Sequence, residues 1–324
     1  MQNIIRYQEA FIEYLNKFSV AREPHTLYDP INYILQLGGK RLRPVLTLFT
    51  TDVFGADYTK ALDAALAIEV FHNFSLVHDD IMDDAPLRRG KQTVHEKWDI
   101  NTGILSGDAM LILAYQYFEN YEPYIFQQLA KLFSKTALEV CEGQQYDVDF
   151  ETRDNVTIDE YLKMITYKTA VLVAAAMKMG AIIANANEEE ANLIYSFGLN
   201  LGIAFQLKDD YLDAFGNPET FGKQVGGDII ENKKTFLYLK ALQNLPEDDA
   251  KQLYHLFNIN PAQPEQKIQN VKELFITSGA DRMTLGAIEL YTNKAFEMLE
   301  TLSISKSHKD ELKAFGEWLM GRNV

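Results

Sequence analysis

Hydrophobic positions along this chain recur mostly at three and four residues, the period of a half-buried helix. Ile5, Phe11, Leu15 and Phe18 give a helix over 4–18 an apolar face. Asp29-Pro30 fits an N-cap followed by proline in the first turn, opening a short helix to Leu37 that Gly38-Gly39 ends. Pro44 begins a helix to about Val53, and a longer one starts near Asp57 or Thr59, with Leu66, Val70, Phe74 and Val77 on its apolar side. Lys91–Trp98 reads as a short helix or turn, and Gly107-Asp108 as the opening of a helix to about Tyr117. Residues 121–145 form another, apolar at Ile125, Leu129, Leu132 and Ala137. Thr157–Glu160 is a capping box for a helix to about Ile183. Asn187–Glu190 caps the next, which reaches Ala214. The glycine-rich stretch from Phe215 to Lys234 reads as a mobile loop. Pro246 then opens a helix to about Phe257, and Pro261 and Pro264 break the chain before two or three amphipathic helices over roughly 265–278, 280–302 and 306–319. No strand-like alternation competes anywhere, so the pattern predicts an all-α fold.

Composition narrows the class. The chain has 324 residues, 47% of them hydrophobic and 24% charged, enough for a large core in one domain or two, and nothing reads as a long linker. A single cysteine, Cys141, rules out an internal disulfide and points to a reducing compartment. MQNIIRYQEAF has no signal-peptide pattern and no run of eighteen apolar residues occurs, so a cytoplasmic protein without a membrane span is expected. A formal charge of −15 disfavours nucleic acid as a partner. It does not exclude a small anion, because local lysines, arginines and bound metal can set the sign of a site.

The chemistry concentrates where two apolar helical runs meet carboxylates. Ala64–Gly90 reads AALAIEVFHNFSLVHDDIMDDAPLRRG. Asp79 and Asp83 stand four apart, as do Asp80 and Asp84, and each pair would share a helix face. Like charges so placed repel by a few tenths of a kcal/mol per pair, roughly, and a cation relieves that. Carboxylates with no cysteine and little histidine suit hard Mg2+ rather than zinc. Arg88-Arg89 follow at once, as guanidinium forks for a metal-bridged phosphate would. Ile203–Ala214, IAFQLKDDYLDA, repeats the Asp-Asp-x-x-Asp spacing at Asp209, Asp210 and Asp213 after another apolar run. Two such helix ends facing each other would hold several Mg2+ ions around one diphosphate. Lys40, Arg41 and Arg43, flanked by glycines before a helix, form a candidate anion site. Gln144 and Asp147 share a helix face, Lys168-Thr169 interrupts an apolar run, and Gln206 lies three before Asp209.

With GGKRLRP at 38–44, DDIMD at 79–83 followed by LRRG, and DDYLD at 209–213 in that order, the chain resembles the trans-isoprenyl diphosphate synthases, the head-to-tail polyprenyl synthetases, over nearly its whole length. The resemblance implies one polyprenyl synthase domain over 1–324, a helical bundle around a central cavity, and a homodimer. It implies Mg2+, three ions per active site with diphosphate bound, on Asp79, Asp83, Asp209, Asp210 and Asp213. Residues matching Lys40, Arg43, His72 and Arg89 would bind isopentenyl diphosphate. Those matching Arg88, Lys168, Lys223 and Lys233 would take up the charge of the allylic diphosphate as it leaves. Thr169 would stabilise the developing cation, Gln144, Asp147 and Gln206 would face the cavity, and Arg322 would close over it. The departing diphosphate itself serves as base in similar enzymes. Phe71, Phe74 and Ser75, one and two turns before Asp79, would set the length of the prenyl chain. A short first motif with phenylalanine five before it implies fifteen to twenty carbons, with twenty favoured. An inactive or regulatory subunit of the same fold, a terpene cyclase or head-to-head synthase, and a metal-binding helical scaffold are the competing readings. Two complete acidic motifs argue against the first, and GGKRLRP against the second.

Overall fold

The computed structural model describes residues 2–17, 22–217 and 225–321, and the chain forms two compact units, Met1–Ser134 with Ala175–Asn192, and Lys135–Ala174 with Leu193–Val324. The fold is all-α, as the periodicity predicts. Its sheet content among the described residues is a hairpin of two-residue strands, Leu87–Arg88 (β1) paired antiparallel with Lys91–Gln92 (β2), and β2 opens the segment 91–98 read from sequence as a helix or turn. A helix, Val94–Lys97, follows it.

The first unit is organised by the helix α4 (Leu62–Met82), which packs against α3 (Leu42–Val53) and α6 (Ile100–Phe118). Ala64, Ala65, Leu66, Ala67, Ile68, Val70, Phe71, Phe74 and Val77 are all buried. A helix enclosed on so much of its circumference needs small residues where neighbours approach. Gly107 supplies one on α6: a Cβ there would lie 2.2 Å from His78 Nε2. Gly107-Asp108 is therefore the interior of a helix and not its beginning. The cap is Asp99, whose side chain accepts from Thr102 N at 2.8 Å. α2 (His25–Gln36) likewise starts earlier than Asp29-Pro30 suggests. Pro30 lies inside it, buried with Ile31, Ile34 and Leu35, so apolar burial has extended the helix upstream of a proline that favours starting one.

The second unit has its own core. Tyr161, Ile165, Ala170, Leu207, Phe236, Leu237, Val271 and Phe275 belong to one buried cluster. The capping box is present, with Thr157 and Glu160 bonding each other's backbone. The helical run it opens is not uniform: α8 (Ile158–Ile165) passes through a π-helical turn, Thr166–Ala170, into α9 (Val171–Ile183). A π turn widens the helix by one residue and is common at functional sites. Close packing accompanies it. A Cβ on Gly143 would stand 2.2 Å from Lys168 N, and one on Gly202 2.8 Å from Ala170 Cα. The run Ile158–Ile183 is long and apolar enough to cross a membrane, yet 72% of its most apolar window is buried inside the protein, as in a core helix.

Candidate active site

In the first unit the acidic motif sits at the C-terminal end of α4. Asp79 and Asp80 are in its last turn, and Asp83 is the C-cap, its N–H donating to Asp79 O at 2.9 Å. Asp84 leaves the helix with φ +47°, so the expected shared face of Asp80 and Asp84 does not exist. Asp80 turns inward instead: it is buried, and its Oδ1 accepts from Arg88 Nε at 2.8 Å and Nη2 at 2.5 Å. Burial raises the Asp80 pKa, while Arg88 opposes the rise. Arg89 donates to the Gly38 carbonyl, which ties the hairpin to the basic loop. In that loop Arg41 is buried with φ +49° and pairs with Glu69 and the Leu35 carbonyl, a structural role. Lys40 is exposed. Arg43 Nη1 lies 3.2 Å from His72 Nε2. Burial, then the charge of Arg43, holds the His72 pKa well below its ordinary value, so the ring is neutral and accepts from Arg43. Arg43 Nε is buried without a partner. An unpaired guanidinium donor beside a neutral imidazole fits an anionic ligand.

Phe74 and Phe71 stack on the same side of α4, one and two turns before Asp79, with ring centroids 5.4 Å apart. Phe71 also packs edge-on to Phe133 at 5.1 Å, and Phe74 to His78 at 4.8 Å. Ser75 donates to the His72 carbonyl at 2.9 Å.

In the second unit a cleft of about 130 Å³ is lined by Asp147, Tyr161, Lys168, Thr169, Gln206, Asp210, Asp228 and Lys233, among others. That volume is far below the roughly 300 Å³ at which drug-sized pockets begin, so it suits a small polar group. Lys168 Nζ is 2.5 Å from Asp147 Oδ2, the pairing that a lysine in an apolar run requires. Thr169 Oγ1 donates to Gln206 Oε1 at 3.0 Å, and Gln206 Nε2 donates to Asp210 Oδ1 at 2.9 Å. The Tyr161 hydroxyl donates to Asp210 Oδ2. Asp213 anchors the returning chain: its carbonyl accepts from Gly226 N at 2.7 Å and its Oδ1 from Asp228 N at 2.9 Å. A short helix, Gly227–Ile230, results within the stretch read as a loop. Burial, with the charges of Asp210 and Asp213, pushes the Asp228 pKa up to about 8. Asp210 is raised as well, first by burial, but Tyr161 and Gln206 support its charge, so the proton of this pair belongs on Asp228. Burial alone would lower Lys233, yet its bond to Glu231 and the charge of Asp228 hold its pKa above the ordinary lysine range.

The structure thus gathers Asp147, Lys168, Thr169, Gln206, Asp210 and Lys233 into one cleft. Gln144 is not part of its lining, and its Oε1 is buried without a partner. Lys223 and Arg322 lie outside the described residues. Tyr161 and Lys267 escape a reading of the sequence. Lys267 is buried and donates to Asn232 Oδ1 at 2.6 Å and to the carbonyls of Ile259 at 3.0 Å and Ile230 at 3.4 Å, pinning the turn that carries Lys233. No local signal marks either. Asp209 and Asp213 stand in the last two turns of α10 (Glu188–Phe215), as Asp79 and Asp83 stand at the end of α4. Carboxylates gathered at the negative end of a helix dipole are destabilising by themselves, and an oxygen-only donor set there fits a hard divalent cation.

An all-α chain thus carries two helices that end in carboxylates, a donor set suited to a hard cation, and in its second unit a lysine-bearing polar cleft suited to an anion. The chain belongs to the polyprenyl synthetase family, whose model matches residues 24–275, and it is closely related to the short-chain trans-prenyl diphosphate synthases. It is 37% identical over 305 residues to a geranylgeranyl pyrophosphate synthase of Geoglobus acetivorans, covering 93% of this chain and 92% of that one. It is 36% identical over 309 residues to a geranylfarnesyl diphosphate synthase of Natronomonas pharaonis, covering 87% and 89%. The crystal structure of a geranylgeranyl pyrophosphate synthase superposes with a TM-score of 0.94 at 58% identity, covering 98% of each chain. The protein is accordingly an isoprenoid chain-elongating prenyltransferase.

Proposed function

We propose that this enzyme condenses isopentenyl diphosphate with allylic diphosphates, head to tail, and stops at geranylgeranyl diphosphate. The observation that carries the reading is one cleft lined by the Lys168–Asp147 ion pair, the hydrogen-bond chain Thr169–Gln206–Asp210, and Lys233. Mg2+, three ions per site on Asp79, Asp83, Asp209 and Asp213, would supply charge neutralisation for the diphosphate. Asp210, whose oxygens are taken by Tyr161 and Gln206, orients the second motif from beneath. Lys168, Lys233, Lys223 and Arg88 receive the negative charge that grows on the leaving oxygens. The Thr169 hydroxyl donates its hydrogen bond to Gln206 Oε1 and keeps its proton, which leaves oxygen lone pairs facing the allylic carbon as its C–O bond breaks. Lys40, Arg43, His72 and Arg89 hold isopentenyl diphosphate. With Nε2 of His72 accepting from Arg43, its Nδ1 carries the proton and donates to phosphate. The double bond of isopentenyl diphosphate forms the new C–C bond, and the released diphosphate takes the proton that restores an alkene.

Length control falls to Phe74, then Phe71 and Phe133, stacked beneath the first acidic motif. The exposed apolar residues Ile100, Ile104, Leu105 and Ile112 on α6 support a homodimer through that helix, which light scattering at micromolar concentration tests. The deciding experiment is incubation with Mg2+, isopentenyl diphosphate and each of dimethylallyl, geranyl and farnesyl diphosphate. A twenty-carbon main product from all three is expected. No product from any primer would overturn the activity, and a dominant fifteen- or twenty-five-carbon product would overturn the length assignment alone.

A further inference from the structure

Outside the two acidic motifs, Asp84, His95 and Glu96 bring ligand atoms within 4.8 Å of one another. We propose that these three residues form a separate site for a borderline divalent cation such as Zn2+ or Co2+. The ion would close the loop that carries Arg88 and Arg89.

The first argument is the histidine. His95 is 8% exposed, and both its Nδ1 and its Nε2 are buried without a hydrogen-bond partner. Its Nε2 faces Glu96 Oε1 at 3.9 Å, too long for a hydrogen bond. An imidazole lone pair beside two carboxylates is satisfied by a cation that accepts both nitrogen and oxygen donors. That chemistry separates it from the oxygen-only sets at Asp79–Asp83 and Asp209–Asp213, which favour Mg2+. Asp80 is close enough for its carboxyl to feel charge on His95, and its Oδ2 is buried and unpaired too. A carboxylate of that kind commonly orients a ligating imidazole.

The second argument is the backbone. Asp84, at φ +47°, follows α4 directly, and His95 lies in the short helix Val94–Lys97. Thr93 N donates to Pro86 O at 3.2 Å, so the two ends of the intervening loop already meet. Ligand distances to zinc are about 2.0–2.2 Å, so the three donors must draw together by roughly an ångström. Asp84 and Glu96 are exposed and can rotate to do this while buried His95 stays in place. The hairpin between them holds Arg88 on Asp80 and Arg89 on the Gly38 carbonyl. An ion across the loop's ends would therefore stiffen the arginine arm.

The test is Co2+ titration of the full-length protein under saturating Mg2+, read by visible ligand-field absorption and by equilibrium dialysis. One Co2+ per chain is expected in the wild type, and also in Asp79→Ala. Glu96→Gln and Asp84→Asn should each weaken binding by roughly 10–100-fold or more. Zn2+ should raise the melting temperature of the wild type and not of Glu96→Gln, while Glu96→Gln leaves Mg2+-supported turnover unchanged. His95→Gln should abolish binding, and if it fails to fold, the two exposed variants carry the test. Absence of Co2+ binding in the wild type, unaltered binding in Glu96→Gln and Asp84→Asn, or loss of binding in Asp79→Ala would each overturn the proposal. None of these three overturning outcomes depends on the prenyl substrates.

Discussion

The two acidic helix ends share one spacing and hold its second aspartate by different means. Asp80 is buried against a charge: Arg88, eight residues away in sequence, puts Nε and Nη2 on one oxygen. Asp210 is also buried, but its hydrogen-bond donors are neutral, the Tyr161 hydroxyl and the Gln206 amide. Burial raises both pKa values, and in each case the partners work against the rise. The flanking aspartates are left nearer the surface: Asp79, Asp209 and Asp213 are half-buried and Asp83 is exposed. The difference teaches that Asp-Asp-x-x-Asp is two functions in one string. Its second residue is an internal support, locally charged in one unit and tertiary and neutral in the other. Its first and third residues stand nearer the surface, where the proposed metal would meet them, and Asp213 in addition accepts from Asp228 N.

The largest effect should come from breaking the outward positions. Asp79→Ala or Asp209→Ala should lower turnover by roughly 10²–10³-fold or more, the range for losing a principal electrostatic stabiliser. The helical circular dichroism should persist, and stability in EDTA should hold or rise slightly as like-charge repulsion is relieved. Full activity in either variant would end the assignment of these residues to diphosphate-bound metal.

A smaller effect should follow from removing the supports. Tyr161→Phe deletes one hydrogen bond to a buried carboxylate and Arg88→Gln the pair from Nε and Nη2, each bond worth about 1.5–3 kcal/mol in urea unfolding. Their kinetics separate them. Tyr161 holds the Asp210 pKa down and Arg88 holds that of Asp80 down, so either variant should move the acid limb of kcat/KM toward higher pH. Arg88→Gln should also lower kcat on the pH plateau, because Arg88 is assigned to the leaving diphosphate as well, whereas Tyr161→Phe should leave the plateau nearly unchanged. Identical plateau losses would dissolve the distinction between the two ends.

How much of this is legible in the string depends on distance along it. The acidic motifs, GGKRLRP, Lys168-Thr169 and Gln206 are short runs of chemically loud residues, and each reads directly. Tyr161 does not, because a tyrosine on an apolar helix looks like core until Asp210, forty-nine residues on, is seen to meet it. The π turn is equally silent, since it goes with the close approach of Gly143 and Gly202, residues that periodicity reads only as weak helix formers. Gly107 misleads in the opposite sense, suggesting a helix start where it makes room for His78, although Asp99 with Thr102 three residues on was a readable cap. Asp84 breaks the expected helix face because one residue in left-handed backbone redirects everything after it.

The proton on Asp228 offers a gentler test of the neutral second end. Its folded pKa, about 8 against an ordinary 3.8, means the folded state binds more protons than the unfolded state between those values. The resulting stabilisation is full below about 4 and is lost as pH rises through about 8. The metal-free protein should therefore melt at progressively lower temperature across that window. Asp228→Asn, which mimics the protonated form, should flatten the dependence and raise stability at the alkaline side. A wild-type melting temperature that rises from pH 5 to 8, with the variant parallel to it, would place the proton elsewhere.

The smallest expected effect on rate is the one that reads product length, and it belongs to the first end alone. Phe74 lies one turn before Asp79, 8% exposed, with its ring against Phe71 on one side and His78 on the other. Phe71 is fully buried and reaches Phe133, which also touches Tyr115 and Phe118 at 4.8 and 5.2 Å. A chain growing away from the acidic motif along α4 would meet Phe74 first and this aromatic cluster next. Phe74→Ala removes the first ring at about 3–5 kcal/mol of stability, the usual cost of a phenylalanine-sized cavity. None of the groups assigned to ionisation or to isopentenyl diphosphate is altered, so the first condensation should proceed within a few-fold of the wild-type rate. The main product should lengthen by one isoprene unit. In Phe74→Ala/Phe71→Ala the floor retreats to Phe133, and a further unit should be added. Thin-layer or mass analysis of the dephosphorylated products decides the matter. An unchanged distribution in the double variant would move the floor to Phe133 or beyond and remove the grounds for a twenty-carbon limit set on α4.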